Sequence, residues 1–471
     1  MTDASAIDGT NPPHDRTREY DMVVLGGGSG GYAAALRGAQ LGLNVALIEA
    51  DKVGGTCLHR GCVPTKAILH SAETAETIRQ AAAVGVRAAF EGIDMPAVQE
   101  YKNSIVTRMY KGLQGLVSSR GIDLVSGWGR LASANTVEVA GRSYRGRNVV
   151  LASGSYPKTM GQEISGPVIT SDQALELDHV PASAVILGGG VIGVEFASAW
   201  ASMGSQVTII EALEHLVPNE DEAISKQLER AFRKRRIDFR VGTRFESVDR
   251  TASGVQVRTA DGAAIDAEVL LIAVGRGPAT ANLGYEEAGV AMDRGFVLTD
   301  PHGRTNVPGV WAVGDIVPGV QLAHRGFAQG IAVAERIAGL NPEPVDDVKV
   351  PKVTFCEPEI ASVGLSEARA AEIHGADKIV TSQFNVAGNA KSQILGTQGF
   401  VKLVSLKNGP ILGFHAIGAR MGEQVGEGQL IVSWEADADD VAALVHAHPT
   451  QNETIGEAAM VLAGKPLHNH G

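Results

Sequence analysis

The sequence is poor in cysteine, in aromatic residues and in long apolar runs. Three cysteines in 471 residues are too few for a secreted disulfide scaffold. No stretch of 18 apolar residues occurs, so no membrane-spanning helix is read. A basic footprint is missing as well. Lys and Arg total 41 against 53 Asp and Glu, a formal charge of −12, which argues against a nucleic-acid partner. The one basic run, Arg233 to Arg236, reads as a solvated helix face. Met1 to Glu19 is polar, contains proline and lacks the apolar core of a secretory leader, so it reads as a loose tail. These absences together point to the cytoplasm, where a close cysteine pair is more often working chemistry than a staple.

Glycine, in contrast, is abundant. The 57 glycines are about 12% of the chain against a usual ~7%, with no collagen period, which implies many tight backbone turns. With 44% hydrophobic residues the chain can bury several cores, and its length suits about three domains.

The organisation is a duplication. Tyr20 to Leu25 reads as a strand, glycines follow, Tyr32 to Leu41 is Ala-rich and helical, and a second apolar run, Asn44 to Ile48, ends at Glu49. The same unit recurs with Ala184 to Leu187, a glycine turn, a helix over Val194 to Met203, and a strand from Gln206 to Ile210 ending at Glu211. Gly26, Gly28 and Gly31 fit G-x-G-x-x-G, as do Gly188, Gly190 and Gly193. At this glycine content roughly one such match arises by chance, so context decides, and both matches follow a strand, open a helix and precede an acid-terminated strand. The three glycines of each turn permit a tight bend, close approach of a pyrophosphate and close helix–strand packing. Glu49 and Glu211 suit a ribose diol. Glu211 is followed by Ala212, Leu213, Glu214 and His215 with no Arg or Lys, which favours NAD over NADP at the second turn.

Between the units, Ser71 to Ser119 reads as largely helical and Val125 to Ala152 as strand-rich, with turns expected at Ala140-Gly141 and Arg145-Gly146. Asn341 to Asp347 reads as a linker, and the different pattern beyond Pro351 as a third domain.

The most informative stretch is Gly54 to Lys66, with Cys57 and Cys62 closing a short loop before a helix. Such a loop removes little chain entropy, so a bridge there is a poor staple. A helix N-terminus lowers a thiol pKa, from ~8.5 toward about 5–7, and one thiolate can attack a substrate disulfide while the other resolves it. Zinc binding would need two further ligands, and Cys356 stands apart from any Cys/His pair, reading as a small buried residue. No metal site is expected. Near the C-terminus, His448 and Glu453 offer an imidazole base and an orienting carboxylate, although a surface pair has the same spacing.

Taken together, the two fingerprints, the redox loop G-G-T-C-x4-C-x-P-T-K, the motif H-x-H-P-T-x2-E over His446 to Glu453, and the segments Leu151–Pro157 and Thr305–Asp315 resemble the flavoprotein pyridine nucleotide–disulfide oxidoreductases. The likeness runs from about Tyr20 to Pro466 and is strongest to the branch that oxidises dihydrolipoamide with NAD. It implies an α/β fold with two Rossmann-like dinucleotide-binding domains, for FAD and NAD, plus a C-terminal α+β dimerisation domain. The implied division is a tail (1–19), an FAD-binding domain (20–153), an NAD-binding domain (154–278), a return segment completing the central domain (279–348) and a dimerisation domain (349–471). By resemblance, Gly26, Gly28, Gly31, Glu49, Gly154, Gly314 and Asp315 would hold FAD, with Asp315 on its ribityl chain. Gly188, Gly190, Gly193 and Glu211 would hold NAD. Lys66, paired with Glu195, would lie near the flavin N5. Cys57 would meet substrate, Cys62 would face the flavin, and His448, oriented by Glu453, would act as base from the other subunit of a homodimer. The implied partner is the lipoyl-bearing acyltransferase core of a 2-oxo acid dehydrogenase complex, toward which the acidic run Glu435 to Asp440 could contribute, although a solvated helix end is the stronger reading of those residues. Another family member acting on a low-molecular-weight disulfide, such as mycothiol disulfide, is the alternative. The family's usual Asn-Val between the cysteines is His59-Arg60 here, which leaves the loop's electrostatics open.

Overall fold

The computed structural model describes residues 19–469. The expected tail lies outside the described residues except for Glu19, which opens the first strand rather than ending a tail.

The first unit runs β1 (Glu19–Leu25), α1 (Ser29–Gln40), β2 (Val45–Glu49), α2 (Gly55–His59), α3 (Cys62–Gln80) and α4 (Met95–Ser119). Four strands follow: β3 (Asp123–Ser126), β4 (Gly129–Ser133), β5 (Thr136–Val139) and β6 (Arg142–Leu151). Strands β3, β2, β1 and β6 lie side by side in parallel, with Val23, Val24, Ala46, Leu47, Val149 and Val150 wholly buried. Near-continuous apolar strands are what a sheet covered on both faces requires. The turn expected at Arg145-Gly146 is absent, because both residues lie inside β6. There β6 lies between two strands, and Arg145 is opposite Thr136 of antiparallel β5 on one edge and Glu19 of parallel β1 on the other. A Cβ on Gly146 would stand 2.9 Å from the Val23 side chain, so this glycine permits a close strand approach and makes no turn.

The chain leaves this sheet through β7 (Ser155–Pro157), then β8 (Val168–Thr170) and α5 (Ser171–Ala174). The second unit follows: β9 (Ser183–Leu187), α6 (Val191–Met203), β10 (Gln206–Ile210), α7 (Glu222–Lys234) and β11 (Asp238–Arg240). A three-stranded antiparallel sheet, β12 (Phe245–Thr251), β13 (Gly254–Thr259) and β14 (Ala264–Ala267), precedes β15 (Val269–Ile272). Strands β11-β10-β9-β15-β8 form a parallel sheet of five. The chain returns through β16 (Arg276–Pro278), which pairs antiparallel with β7. A small hairpin, β17 (Met292–Asp293) and β18 (Phe296–Val297), leads to β19 (Val310–Ala312), which rejoins the first sheet in parallel beside β6, and to α8 (Ala323–Ile337).

The last part is a five-stranded antiparallel sheet, ordered β20 (Lys352–Thr354), β21 (Glu359–Gly364), β24 (Ile411–Gly418), β23 (Phe400–Leu406) and β22 (Ile379–Asn385). Its helices include α9 (Glu367–His374), α10 (Ala390–Leu395), α11 (Val425–Ser433), α12 (Ala438–Ala442) and α13 (Glu453–Leu462). In the acidic run, Asp437 and Asp440 form the capping box of α12, and Asp439 pairs with Lys465 at 3.1 Å. Among the described residues no helix is long and apolar enough to cross a membrane.

One core joins parts distant in sequence. Ile68 and Ala72 of α3, Phe196 and Trp200 of α6, and Cys356, Ile360, Phe400 and Ile417 of the last part pack in a single cluster. Cys356 is buried as expected, with its thiol on the Pro358 carbonyl at 3.2 Å and its pKa pushed up by burial. The basic run is solvated only in part. Arg233, Lys234 and Arg236 are exposed, but Arg235 turns inward and donates to Ser198 Oγ (2.7 Å), Ser202 Oγ (2.6 Å) and the Glu357 carbonyl (2.8 Å). Hydrogen bonds to a charged donor contribute about 1.5–3 kcal/mol each when an unsatisfied partner would remain. We therefore expect Arg235→Ala to lower stability by about 2 kcal/mol, read as a fall in the thermal or urea midpoint, while Arg236→Ala leaves it unchanged. Equal behaviour of the two variants would remove Arg235 from this junction.

Candidate active site

The two glycine turns are built alike to the level of single hydrogen bonds. In the first, the Gly27 N–H donates to Glu49 Oε2 (2.6 Å) and the Asp51 N–H to Glu49 Oε1 (2.8 Å). In the second, the Gly189 N–H donates to Glu211 Oε2 (2.6 Å) and the Leu213 N–H to Glu211 Oε1 (2.8 Å). Each strand-end carboxylate therefore braces its own turn, a task that its sequence position did not announce.

The glycines of each turn divide into two kinds. Gly26 has φ +107° and Gly188 φ +102°, and a Cβ on either would strike the next strand's carbonyl, Ala152 O at 2.2 Å or Ala273 O at 2.5 Å. A Cβ on Gly31 or Gly193 would stand 1.8 Å or 1.9 Å from the carbonyl oxygen of Gly26 or Gly188. These four are required by packing alone. Gly28 and Gly190, which cap α1 and α6, have ordinary negative φ and nothing within 4 Å of such a Cβ. Glycine is needed there only if something outside the protein approaches the helix N-terminus, so both turns fit a dinucleotide pyrophosphate.

Cys57 lies in α2 and Cys62 is the first residue of α3, both as free thiols. The two side chains share a hydrogen bond, and the sharing is unequal. The Cys62 thiol is lowered to about 7, first by the bond from Cys57 and further by the Lys66 charge, against the opposing effect of burial. Cys57 moves the other way, well above the ordinary thiol range, because it keeps the shared proton and is itself shielded from water. The helix start expected to activate a thiol is present at Cys62, but the neighbouring thiol is the larger cause.

Lys66, one turn into α3, donates to both oxygens of Glu195, at 2.9 and 2.8 Å. Glu195 is only 3% exposed, on the helix that the second glycine turn opens, and it also accepts the Phe355 N–H at 2.9 Å. The Lys66 ammonium sits 4.7 Å from the centre of the Phe355 ring. In the loop between the cysteines, His59 Nε2 meets the Val53 carbonyl at 3.0 Å and its ring stands edge-on to Tyr110, while Arg60 pairs with Asp51 at the surface. Both unusual loop residues are thus engaged by residues on their own side of the loop.

Asp315 lies in a short turn after β19, where its Oδ2 accepts the Ser155 hydroxyl at 2.5 Å. Gly314 (φ +78°) donates its N–H to Gln329 Oε1, and Gly154 (φ +78°) precedes β7. His448 Nδ1 meets Glu453 Oε1 at 2.8 Å, and the Thr450 N–H holds Glu453 Oε2 at 2.7 Å. The His448 side chain is 72% exposed and sits before α13 of the antiparallel part.

Sequence reasoning missed three neighbours of these groups. Tyr32 directly follows the first fingerprint, and its hydroxyl is pushed up to about 12 by burial and by the two cysteines. His446 Nε2 meets Glu427 Oε1 at 2.7 Å, a pair that raises the imidazole pKa and lowers the carboxyl. Arg276 donates to Ser155 beside Asp315. Position in the motif could have flagged Tyr32 and His446, whereas nothing in the spacing marks Arg276.

Comparison with known proteins settles the family. The pattern of the pyridine nucleotide-disulphide oxidoreductases matches residues 20–330, and that of their dimerisation domain matches residues 350–459. The chain belongs to this family. A dihydrolipoyl dehydrogenase of Bacillus subtilis (strain 168) is 37% identical over 96% of this chain and 99% of its own length. Among solved structures, LpdA from Mycobacterium tuberculosis superposes with a TM-score of 0.87 at 27% identity, covering 94% of this chain and 99% of that one. The HOCl-induced flavoprotein disulfide reductase RclA from Escherichia coli gives 0.84 at 28% identity, covering 94% and 100%.

The two kinds of glycine give a direct test. Gly28→Ala and Gly190→Ala should fold with unchanged circular dichroism, and each should weaken dinucleotide binding at its own turn by tenfold or more, read by bound flavin and by nicotinamide titration. Gly31→Ala should fail to accumulate as folded protein. Full nucleotide binding in Gly28→Ala would show that nothing approaches the first turn.

Proposed function

We propose that this chain is an FAD-dependent enzyme that oxidises dihydrolipoamide to lipoamide and reduces NAD to NADH through a Cys57–Cys62 disulfide. The observation that carries the reading is the Cys57/Cys62 pair held between two dinucleotide turns, in a chain whose 37% identical relative is a dihydrolipoyl dehydrogenase. Gly26, Gly28, Gly31 and Glu49 would hold the adenosine end of FAD at the first turn, and Gly154, Gly314 and Asp315 would hold its ribityl and flavin end. Gly188, Gly190, Gly193 and Glu211 would hold NAD at the second turn. Bound FAD supplies the electron path between the dithiol and NAD.

The protein's own part begins with a proton. His448 of one subunit, held by Glu453, removes a proton from a substrate thiol at the cysteine pair of the other. The substrate thiolate attacks Cys57 Sγ, the Cys57–Cys62 bond breaks, and Cys62 leaves as a thiolate. The second substrate thiol then attacks the substrate sulfur of the mixed disulfide, which closes the lipoamide ring and returns Cys57 with a proton. That distribution, a proton on Cys57 and charge on Cys62, matches the thiol pKa ordering above. Lys66 balances the Cys62 charge, and Glu195 holds Lys66 in place.

The family's dimerisation domain makes a homodimer the working unit. As further parts of the proposal, the enzyme serves the lipoyl-bearing acyltransferase core of a 2-oxo acid dehydrogenase complex and works in the cytoplasm. The exposed carboxylate of Glu435 is available for such docking, whereas Asp437 and Asp440 are engaged at the α12 cap and Asp439 pairs with Lys465.

The test is a single assay of purified flavoprotein with dihydrolipoamide and NAD. Rapid NADH formation, absent with NADP, is expected, and its absence from yellow protein would transfer the reading to another thiol substrate. His448→Gln should slow reduction by dihydrolipoamide about 10²-fold or more, the usual range for a lost general base, and leave NADH oxidation by artificial acceptors within a few-fold. Equal slowing of both would remove the base assignment.

A further inference from the structure

The two strands that carry the chain out of the first sheet and back, β7 and β16, are zipped together, with Lys158 N–H on the Gly275 carbonyl (3.0 Å) and Ala279 N–H on the Gly154 carbonyl (2.9 Å). From the returning strand, Arg276 reaches across this pair. Its Nε donates to Ser155 Oγ at 2.7 Å and its terminal NH2 to the Ser155 carbonyl at 2.7 Å. The Ser155 hydroxyl in turn donates to Asp315 Oδ2 at 2.5 Å.

The direction of this chain is fixed by chemistry. A guanidinium has only donors, so Ser155 Oγ must accept from it. The one hydroxyl proton is then committed to the carboxylate, which has only acceptors when ionised. Without Arg276 the hydroxyl is free to rotate, and the Ser155 carbonyl loses its donor. With it, one oxygen of Asp315 is held at hydrogen-bonding distance by a bond that a cation polarises, and such charge-assisted bonds are shorter and roughly twice as strong as neutral ones. All three side chains are half-buried, so their mutual attraction is only partly screened by water.

We propose that Arg276 is a positioning residue that acts through Ser155 to fix the carboxylate of Asp315, and so tightens the hold on FAD from the strand pair leading to the NAD-binding part. The proposal rests on the reading above that Asp315 faces the flavin's ribityl chain. Its consequence is that the grip on one dinucleotide is built into the connection to the other, through residues 121 and 160 positions apart.

The experiment measures FAD release from the holoenzyme, by recovery of free-flavin fluorescence, in Asp315→Asn, Arg276→Gln, Ser155→Ala, Arg276→Lys and the double variant Arg276→Gln/Asp315→Asn. We expect Arg276→Gln and Ser155→Ala each to speed release about tenfold, in keeping with one lost charge-assisted bond. Arg276→Lys should fall between them and the parent, since an ammonium reproduces the charge but not the forked geometry. In the Asp315→Asn background Arg276→Gln should add less than about threefold, because coupled residues are not additive. At saturating FAD the thermal midpoint should fall no further than tenfold weaker FAD binding accounts for, whereas a merely structural role for Arg276 would lower it further. Unchanged release in Asp315→Asn would overturn the ribityl reading itself. Fast release in Asp315→Asn together with normal release in Arg276→Gln, or independent multiplication of the two effects, would overturn the role of Arg276 alone.

Discussion

The contact on which the rest depends is the buried carboxylate of Glu195. It accepts Lys66 from the helix that carries Cys62, it belongs to the helix that the second glycine turn opens, and it accepts the Phe355 N–H from the segment entering the antiparallel part. Three regions of the chain therefore meet on one side chain. A carboxylate buried this deeply costs several kcal/mol to desolvate, and removing its cation would leave that cost uncompensated, on the order of 3–5 kcal/mol. The pair thus constrains where the redox helix can stand relative to the second nucleotide turn. The apolar cluster of Ile68, Phe196, Trp200 and Phe400 surrounds the same junction and supplies its rigidity.

That junction also sets the chemistry. The two thiols share charge unequally: the bond from Cys57 is the leading cause of the lowered Cys62 thiol, and the Lys66 charge lowers it further. The proton stays on Cys57, the sulfur that the proposed reaction exposes to substrate. The same helix geometry that places Cys62 at the start of α3 places Lys66 one turn further on, so Cys62 and its counter-charge are carried on one helix. The His59-Arg60 departure in the loop adds little to this field, since Arg60 is neutralised by Asp51 at the surface.

Much of this was legible in the sequence, for a physical reason. The glycine turns depend on local sterics, and the demand for no Cβ at Gly26, Gly31, Gly188 and Gly193 is written in the residues themselves. The His448–Glu453 contact spans five positions and needs only a helix start between them. What escaped reading depends on distant partners. The supposed turn at Arg145-Gly146 is a strand held between β5 and the distant β1, which no local pattern reports. The inward turn of Arg235 depends on Ser198, Ser202 and Glu357, and the link from Arg276 to Asp315 on a strand pair formed by segments 121 positions apart. That the helix start would lower a thiol was legible, but which thiol it is, and the leading cause, appear only once α2 brings Cys57 against Cys62.

The most direct test of this account is the titration of the Cys62 thiolate in reduced protein, followed by its ultraviolet absorbance against a Cys62→Ser blank. The parent should titrate with a midpoint at about 7. Replacing the cation, in Lys66→Met, should move the midpoint upward by roughly one unit or more, since a nearby positive charge favours the thiolate. Neutralising the carboxylate, in Glu195→Gln, should move it downward, because Glu195 opposes the thiolate. A midpoint unmoved in Lys66→Met, or a shift in the same direction for both variants, would contradict the claim that Lys66 and Glu195 act in opposite directions on the Cys62 thiolate.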